Sequence, residues 1–187
     1  MEPVLTRTVI GSDIAARARI VNRYAMPFAV ILVLLGVVLG GPVGNSGYIC
    51  IALLVCTAVF NIWSPQYIAT CPDPSTFIKV RLWINLICNA VLVWILGSVW
   101  SPCWLLLALS PLAGGVYGSR SRTVALSLGV SGFLIIRYLV QSHVSPLELG
   151  EQVTYCAFVI LASLMVADLT RPRGAVPTPL PLGEAKP

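Results

Sequence analysis

Six long apolar runs alternate with short polar gaps along this chain, and the alternation predicts six membrane-spanning helices. The runs cover residues 24–41, 48–63, 83–99, 102–118, 123–140 and 152–169. Each is slightly shorter than the ~20 residues that cross ~30 Å of hydrocarbon as a helix, and flanking residues can complete the turns. The runs lack the polar–apolar alternation of a transmembrane barrel strand. Because backbone groups in lipid must pair within their own segment, the runs are expected to be helices.

Composition supports the same class. The chain has 187 residues, of which 57% are hydrophobic and only 10% are charged. A soluble domain carries roughly 25% charged residues. So few charges cannot cover a soluble surface, and the expected fold is all-α, a polytopic membrane protein.

The positions of Lys and Arg predict the orientation of the helices. Eleven of the twelve basic residues lie before the first run, in the second and fourth gaps, or after the last run. The first, third and fifth gaps contain none. By the positive-inside rule, both termini are expected in the cytoplasm. The net charge of +5 is therefore read as a topology signal. No basic face with interleaved aromatic residues suggests nucleic-acid binding.

The chain divides into three expected parts: a basic juxtamembrane helix over residues 1–23, a six-helix domain over 24–169, and a cytoplasmic tail over 170–187. Ser12 and Asp13 are expected to cap a helix that begins at Ile14. That helix is either amphipathic on the inner leaflet or a continuation of the first span. Five prolines in the nineteen residues after Asp168 predict a disordered tail.

Cysteine and histidine give little material for a metal site. The six cysteines form no C-x-x-C pair, and His143 is the one histidine. Thiols in apolar runs are expected to act as small hydrophobic side chains. Cys50 and Cys103 both fall near the outer face and could pair if oxidised there, which their spacing does not decide. No metal site is predicted.

Polar residues inside the spans are the best pointers to a site. Arg137, in the outer half of the fifth span, is the one basic residue away from the inner side. It is expected either to snorkel to the outer headgroups or to hold an anion or polar headgroup in a small outer cavity. Glu148 and Glu151 are reachable partners. Asn85 and Asn89 share one face of the third span, where amides either pack helices together or bind a ligand.

Tryptophans fall near the ends of the spans. Trp63 and Trp83 lie near the inner boundary, while Trp100 and Trp104 bracket the short third gap. Indole rings favour the membrane interface, so these residues are interpreted as interface anchors, with ligand stacking as the alternative. Trp94 sits deeper in the third span.

Residues 81–118 resemble the third and fourth spans of the six-span membrane input domain of bacterial sensor histidine kinases of the redox-sensing and pilus-regulating types. In those domains an Arg and often an Asp enter the third span, followed by Gly-Gly, Ser-Pro or Asn-Pro with an aromatic residue, and a second Pro. The corresponding residues here are Arg81, Asn85, Gly97, Ser98, Ser101, Pro102 and Pro111. Asn85 replaces the acid, Ser98 the second glycine and Cys103 the aromatic residue.

The resemblance covers roughly residues 12–170 and implies a bacterial cytoplasmic (inner) membrane protein that senses a quinone at the loop 97–104. The combined candidate ligand site comprises Asn85, Asn89, Gly97, Trp100, Ser101, Pro102, Trp104 and Arg137. The residue types of this loop also support a purely structural interpretation. Gly97 is expected to end a helix with positive φ, Ser101 to cap the next helix and Pro102 to occupy its first position. A tight hairpin of small residues would need the same residue types.

The sequence contains neither a phosphoacceptor-histidine helix nor a nucleotide-binding fold, so the sequence predicts a non-catalytic protein. Three hypotheses follow. The chain is a sensor-like domain that binds a hydrophobic ligand, quinone or lipid and works through a partner protein. Alternatively, it is an accessory subunit of a respiratory or photosynthetic complex. A substrate-binding component of a vitamin transporter is the weakest of the three, because few polar residues are available for a pocket.

Overall fold

The computed structural model describes residues 2–41, 44–117, 120–141 and 145–170, without the side chains of residues 2–14, 69 and 141. Every regular element in these residues is helical. The helices are α1 (Glu2–Gly40), α2 (Ser46–Thr70), α3 (Pro74–Leu96), α4 (Leu105–Val116), α5 (Arg120–Gln141) and α6 (Pro146–Leu169), and a 3₁₀ turn (Ser101–Trp104) leads into α4.

Five helices in the described part of the chain are long and apolar enough to cross a membrane. They comprise Ala15–Gly40 of α1, Ser46–Ile68, Pro74–Leu96, Arg120–Val140 and Pro146–Leu169. The fourth apolar helical stretch, Ser101–Val116, is shorter. The prediction of an all-helical, multi-pass membrane protein is therefore confirmed at this level, and lipid is the natural solvent for the apolar side chains that the helices expose.

Several helices extend well past the apolar runs. α1 begins at Glu2, so the expected helix start at Ser12 and Asp13 is wrong: both residues lie inside a continuous helix. α2 continues past Pro65 to Thr70, and α3 begins at Pro74. The apolar pattern marks only the part of a helix that meets lipid, because a helix can continue into water once its polar face is solvated.

Asp73 fixes the start of α3. One oxygen of its carboxylate accepts hydrogen bonds from the backbone N–H groups of Ser75 and Thr76, both at 3.2 Å, and Pro74 occupies the first turn. Hydrogen bonds from Thr76 and Ser75 lower the pKa of this exposed carboxyl to about 2. The α2–α3 turn is thus capped by a group that is charged at any physiological pH.

Side-chain contacts of α4 with its neighbours mark the two ends of the helical bundle. At one end, Arg17 Nη1 of α1 donates to the carbonyl of Val116 at 3.1 Å, and Thr170 Oγ1 donates to the carbonyl of Gly115 at 2.8 Å. At the other end, the Trp104 ring before α4 stacks on Tyr155 of α6 with centroids 4.4 Å apart. The 3₁₀ turn and α4 therefore run alongside α6 from Tyr155 to Thr170, while the first turns of α6 extend beyond them.

Two apolar clusters form the interior. The larger includes Val33, Leu96, Leu106, Leu134 and Val159, and joins all the helices toward the end that carries the 3₁₀ turn. The smaller lies toward the arginine-rich end and comprises Ala15, Ala18, Ile68, Ile78, Leu82 and Leu126. Except for Leu126, its residues lie outside the apolar runs, so burial of apolar side chains continues beyond the stretches that the apolar pattern marks.

Candidate functional site

A cleft of about 280 Å³ opens at the end of the bundle that carries the 3₁₀ turn. It brings together one side of α3, the 3₁₀ turn, α5 and the start of α6. Its lining includes three charged residues from the last two helices, namely Arg137, Glu148 and Glu151. The hairpin after α3 contributes Gly97, Ser98, Ser101 and Trp104. Four of the eight candidate site residues therefore line one cleft.

Gly97 and Arg137 are in direct contact within this cleft. A Cβ placed on Gly97 would lie 2.7 Å from Arg137 Nη2 and 2.5 Å from the carbonyl oxygen of Val93. The expectation of a positive φ at Gly97 is wrong, since its φ is −69° and ψ is −11°. Its N–H bonds to the Val93 carbonyl at 2.9 Å, as a continuing right-handed turn requires. Glycine is needed here for space rather than for backbone freedom, because the guanidinium occupies the volume of a side chain.

Arg137 is half-buried and its Nε is buried without a hydrogen-bond partner. None of the hydrogen bonds and ion pairs among the described residues includes its guanidinium, although Glu148 and Glu151 line the same cleft. A cation in this position is costly unless an oxygen ligand, a carboxylate or water meets it. The cleft thus presents unsatisfied donors to whatever occupies it.

Two contacts fix the wall that faces Arg137. Ser145 caps α6 by accepting from the N–H of Glu148 at 3.2 Å. The Tyr138 hydroxyl donates to the Ser145 carbonyl at 3.0 Å and accepts from its N–H at 2.9 Å, which ties the start of α6 to α5. The carboxylates of the first turns of α6 are therefore held on a short, braced connection.

The 3₁₀ turn differs from the expected helix start. The residue that precedes the turn is Trp100, no side chain caps it, and Pro102 lies in its first turn, so the prediction that Ser101 caps the following helix is wrong. The reason is that the backbone of a 3₁₀ turn forms hydrogen bonds between residues three apart. Here the Cys103 N–H donates to the Trp100 carbonyl at 3.2 Å.

Trp100 and Trp104 pack within the bundle. Trp104 stacks on Tyr155 and meets Phe158 edge-on with centroids 5.6 Å apart. The Trp100 ring packs against Gly36, where an added Cβ would lie 3.2 Å from Trp100 Cδ1. The indole Nε1 of Trp100 is buried without a hydrogen-bond partner. Trp104 lines the cleft, whereas Trp100 and Pro102 line neither this cleft nor the cavity described next.

A second polar group lies toward the arginine-rich end, around Arg81 of α3. Its Nη1 donates to the Tyr117 hydroxyl at 3.1 Å, and its Nε and Nη2 donate to Asn61 Oδ1 at 3.3 and 3.2 Å. Nη2 also donates to Asn22 Oδ1. Asn85 exchanges two hydrogen bonds with Asn61, at 2.7 and 3.0 Å. We call these five residues the arginine cluster. They line a cavity of about 70 Å³.

The two asparagines of α3 have different roles. Asn85 belongs to the arginine cluster, but Asn89 donates to the carbonyl of Leu106 in α4 at 2.9 Å. Pro111, which lies inside α4 and has no N–H, leaves the carbonyl of the next residue, Leu107, without its helical donor. Asn89 therefore holds α3 against α4, and neither asparagine lines the cleft around Arg137. The eight candidate residues do not form one site.

Asn22, Asn61 and Tyr117 were missed as site residues in the sequence. Asn61 was a usable signal, since it is a polar amide within the second apolar run. Asn22 and Tyr117 border their runs, where polar residues are ordinary. Only the packing of α1, α2 and α4 around Arg81 distinguishes them.

Among the described residues, no group of three or more His, Cys, Asp or Glu side chains is arranged so that it could hold a metal ion. Cys50 and Cys103 are free, buried thiols in the same apolar cluster. His143 and the proline-rich tail after Thr170 fall outside the described residues.

No protein-family model matches this chain, and no curated protein or solved structure matches it either.

Proposed function

We propose that this chain is a non-catalytic protein of the bacterial cytoplasmic membrane that crosses the bilayer six times with both termini inside. In this proposal it binds a hydrophobic ligand with a polar head, a quinone or a lipid, in the outer cleft around Arg137 and acts through a partner protein. The sensor-kinase resemblance suggests the ligand class. The observation that carries the binding site is the unsatisfied guanidinium of Arg137 in a cleft of about 280 Å³.

The six-span part of the proposal depends on α4. The stretch Ser101–Val116 is about 24 Å long at ~1.5 Å per residue, which is short for ~30 Å of hydrocarbon. It nevertheless runs alongside α6 from Trp104 and Tyr155 to Gly115 and Thr170. A thinned bilayer or flanking polar residues accommodate a short span at modest cost. Placing the basic residues inside then puts the outer cleft on the opposite side of the membrane from Arg81 and Arg17.

Cysteine labelling in intact bacterial cells tests this topology. In a variant whose six cysteines are replaced by alanine, exposed Val99→Cys is expected to react with a membrane-impermeant maleimide. Exposed Ser121→Cys is expected to react only after the membrane is permeabilised. If α4 does not cross, both positions lie on one side, and equal labelling of the two in intact cells would rule out six spans.

The cleft suits a ligand whose head group accepts hydrogen bonds. Its volume is near the lower end of the roughly 300–1,000 Å³ typical of ligand sites. Arg137 offers donors, and the stacked Trp104 and Tyr155 offer a flat apolar wall. A quinone carbonyl and a lipid phosphate are both acceptors, and the apolar chain of either molecule would remain among the exposed apolar side chains of the helices.

Replacing Arg137 tests the binding site. We expect added ubiquinone or menaquinone to raise the melting temperature of the wild-type protein in nanodiscs, and Arg137→Gln to weaken quinone binding by about tenfold, the usual effect of losing one charge-assisted hydrogen bond. Arg120→Gln is the matched control, because Arg120 is an exposed arginine at the other end of the same helix.

Gly97→Ala extends the test without touching a charge. Its Cβ would displace the guanidinium of Arg137, so weaker quinone binding with the charge retained is expected. If neither quinone alters the wild-type melting temperature, and mass spectrometry finds no lipid whose retention depends on Arg137, the proposed ligand site is wrong.

A further inference from the structure

Arg81 is a buried cation whose hydrogen-bond partners are all neutral. Only 3% of its surface is exposed, and its guanidinium bonds to the amides of Asn22 and Asn61 and to the hydroxyl of Tyr117. Neutral oxygens satisfy the donors but leave the positive charge uncompensated. A buried charge without a counter-charge is strongly unfavourable in a low-dielectric interior.

No carboxylate among the described side chains reaches this charge. The residues that line the cavity beside Arg81 include none, and the acidic residues described toward this end, Asp73 and Asp168, are exposed. A second cation is close instead, because Arg17 donates to the carbonyl of Val116, the neighbour of Tyr117. The local field therefore favours a negative charge.

The cavity contains an unused hydrogen-bond donor. Ser110 of α4 lines it, only 2% of the residue is exposed, and its hydroxyl has no hydrogen-bond partner. A buried hydroxyl without a partner is costly and is usually satisfied by water or a ligand. This observation is independent of the charge of Arg81, and it concerns the same cavity.

We propose that the cavity between Arg81 and Ser110 binds one small monovalent anion. The guanidinium would supply the counter-charge, and the hydroxyl of Ser110 would donate to the anion. A volume of about 70 Å³ accommodates chloride, nitrate or formate but is far below the size of a typical organic ligand site. The cavity lies between the two apolar clusters, with Leu82 of one and Leu54 and Leu92 of the other in its wall. An anion there would lie in a polar layer between these clusters.

This inference goes beyond the proposed function and does not depend on it, since the outer cleft and this cavity share no lining residue. The full chain in nanodiscs of zwitterionic lipid is titrated with chloride against gluconate at constant ionic strength, because gluconate is too large for the cavity. Saturable broadening of the ³⁵Cl resonance and a chloride-dependent rise in melting temperature are expected. Nitrate and formate, tested by their displacement of chloride, distinguish inorganic from carboxylate ligands.

Two serine variants test the position of the site. Ser110→Ala removes the donor and is expected to weaken chloride binding by about tenfold. Ser163→Ala is the matched control, because Ser163 is also buried with an unpartnered hydroxyl but does not line the cavity. Its chloride affinity is expected to equal that of the wild type. Equal affinities in all three proteins would overturn the proposal.

An internal carboxylate gives a second test that does not rely on losing a group. Asn61→Asp keeps the acceptor beside Arg81 and adds the missing counter-charge, so saturable chloride binding is expected to disappear while the protein stays folded. Asn45→Asp adds the same charge at the exposed residue that precedes the same helix and should leave binding unchanged. Absence of saturable binding of chloride, nitrate and formate to the wild type would show that the cavity holds water only. Arg137→Gln is expected to leave chloride binding intact, which separates failure here from failure of the outer site.

Discussion

Replacing Gly115 by valine is expected to lower the free energy of unfolding by about 3 kcal/mol, the upper part of the range for overpacking a tight interior contact. A Cβ on Gly115 would lie 3.0 Å from the carbonyl oxygen of Ser163 and 3.1 Å from the amide nitrogen of Ala167. Both are backbone atoms of α6, so no side chain can rotate away. The two further methyl groups of valine have to push the helices apart, and small residues at such crossings are what permits close packing in membranes.

Separation of α4 from α6 would also break a hydrogen bond. The Thr170 hydroxyl donates to the Gly115 carbonyl at 2.8 Å, and this contact depends on the same close approach. Gly114 provides a graded comparison, because its added Cβ would meet only the flexible end of Leu126 at 3.0 Å. We therefore expect Gly114→Ala to cost much less than Gly115→Val.

Reversible denaturation in mixed micelles measures these free energies. Gly132→Val is the matched control, since Gly132 lies in an exposed part of α5 and an added Cβ there meets nothing within 4 Å. Its free energy of unfolding should stay within about 0.5 kcal/mol of the wild type. Similar losses for Gly115→Val and Gly132→Val would mean that the α4–α6 contact does not carry the stability assigned to it.

The helical, multi-pass character of this protein could be predicted because it depends on composition alone. Apolar runs must be helical in lipid whatever their neighbours are. The helix ends could not be predicted in the same way. The turns of α1 around Ala18 and the end of α2 around Ile68 lie outside the apolar runs although both residues belong to a second buried apolar cluster, and alanines carry little signal in a sequence.

The candidate sites show a similar division. Arg137 could be found from the sequence, because a lone cation in the outer half of a span is conspicuous. The contact between Arg137 and Gly97 could not be found from the sequence. The sequence predicts that Gly97 adopts a positive φ, whereas in the structure Gly97 makes space for the guanidinium of Arg137. The arginine cluster draws one or two polar residues from each of four helices. No pattern within a single helix reveals such a set, since its members meet only when the bundle assembles.

The same assembly makes Asn61 the side chain on which the arginine cluster most depends. Its Oδ1 accepts from Arg81 Nε, from Arg81 Nη2 and from Asn85 Nδ2, the last at 3.0 Å. Its Nδ2 donates to Asn85 Oδ1 at 2.7 Å. Asn61→Ala therefore leaves part of a buried guanidinium without an acceptor, and leaves Asn85 with only the bond that its Nδ2 donates to the Arg81 carbonyl.

We expect Asn61→Ala to lower the free energy of unfolding by about 2–3 kcal/mol, because hydrogen bonds to a charged group contribute about 1.5–3 kcal/mol. Neutral hydrogen bonds between membrane helices average only about 0.6 kcal/mol, so a loss of that size would indicate that the charge of Arg81 is met by other groups. The measurement is denaturation in mixed micelles. Asn45→Ala is the control, since Asn45 is an exposed asparagine that precedes the same helix without a side-chain capping bond.

Asn61→Asp separates the two parts of this effect. The carboxylate retains an acceptor for Arg81 and adds a counter-charge, while it loses the single hydrogen bond donated to Asn85. If the uncompensated charge of Arg81 limits stability, Asn61→Asp is expected to be more stable than Asn61→Ala by at least about 2 kcal/mol, a difference in line with charge-assisted hydrogen bonding. Equal stabilities of the aspartate and alanine variants would contradict the assignment of Arg81 as a buried charge that lacks a counter-charge.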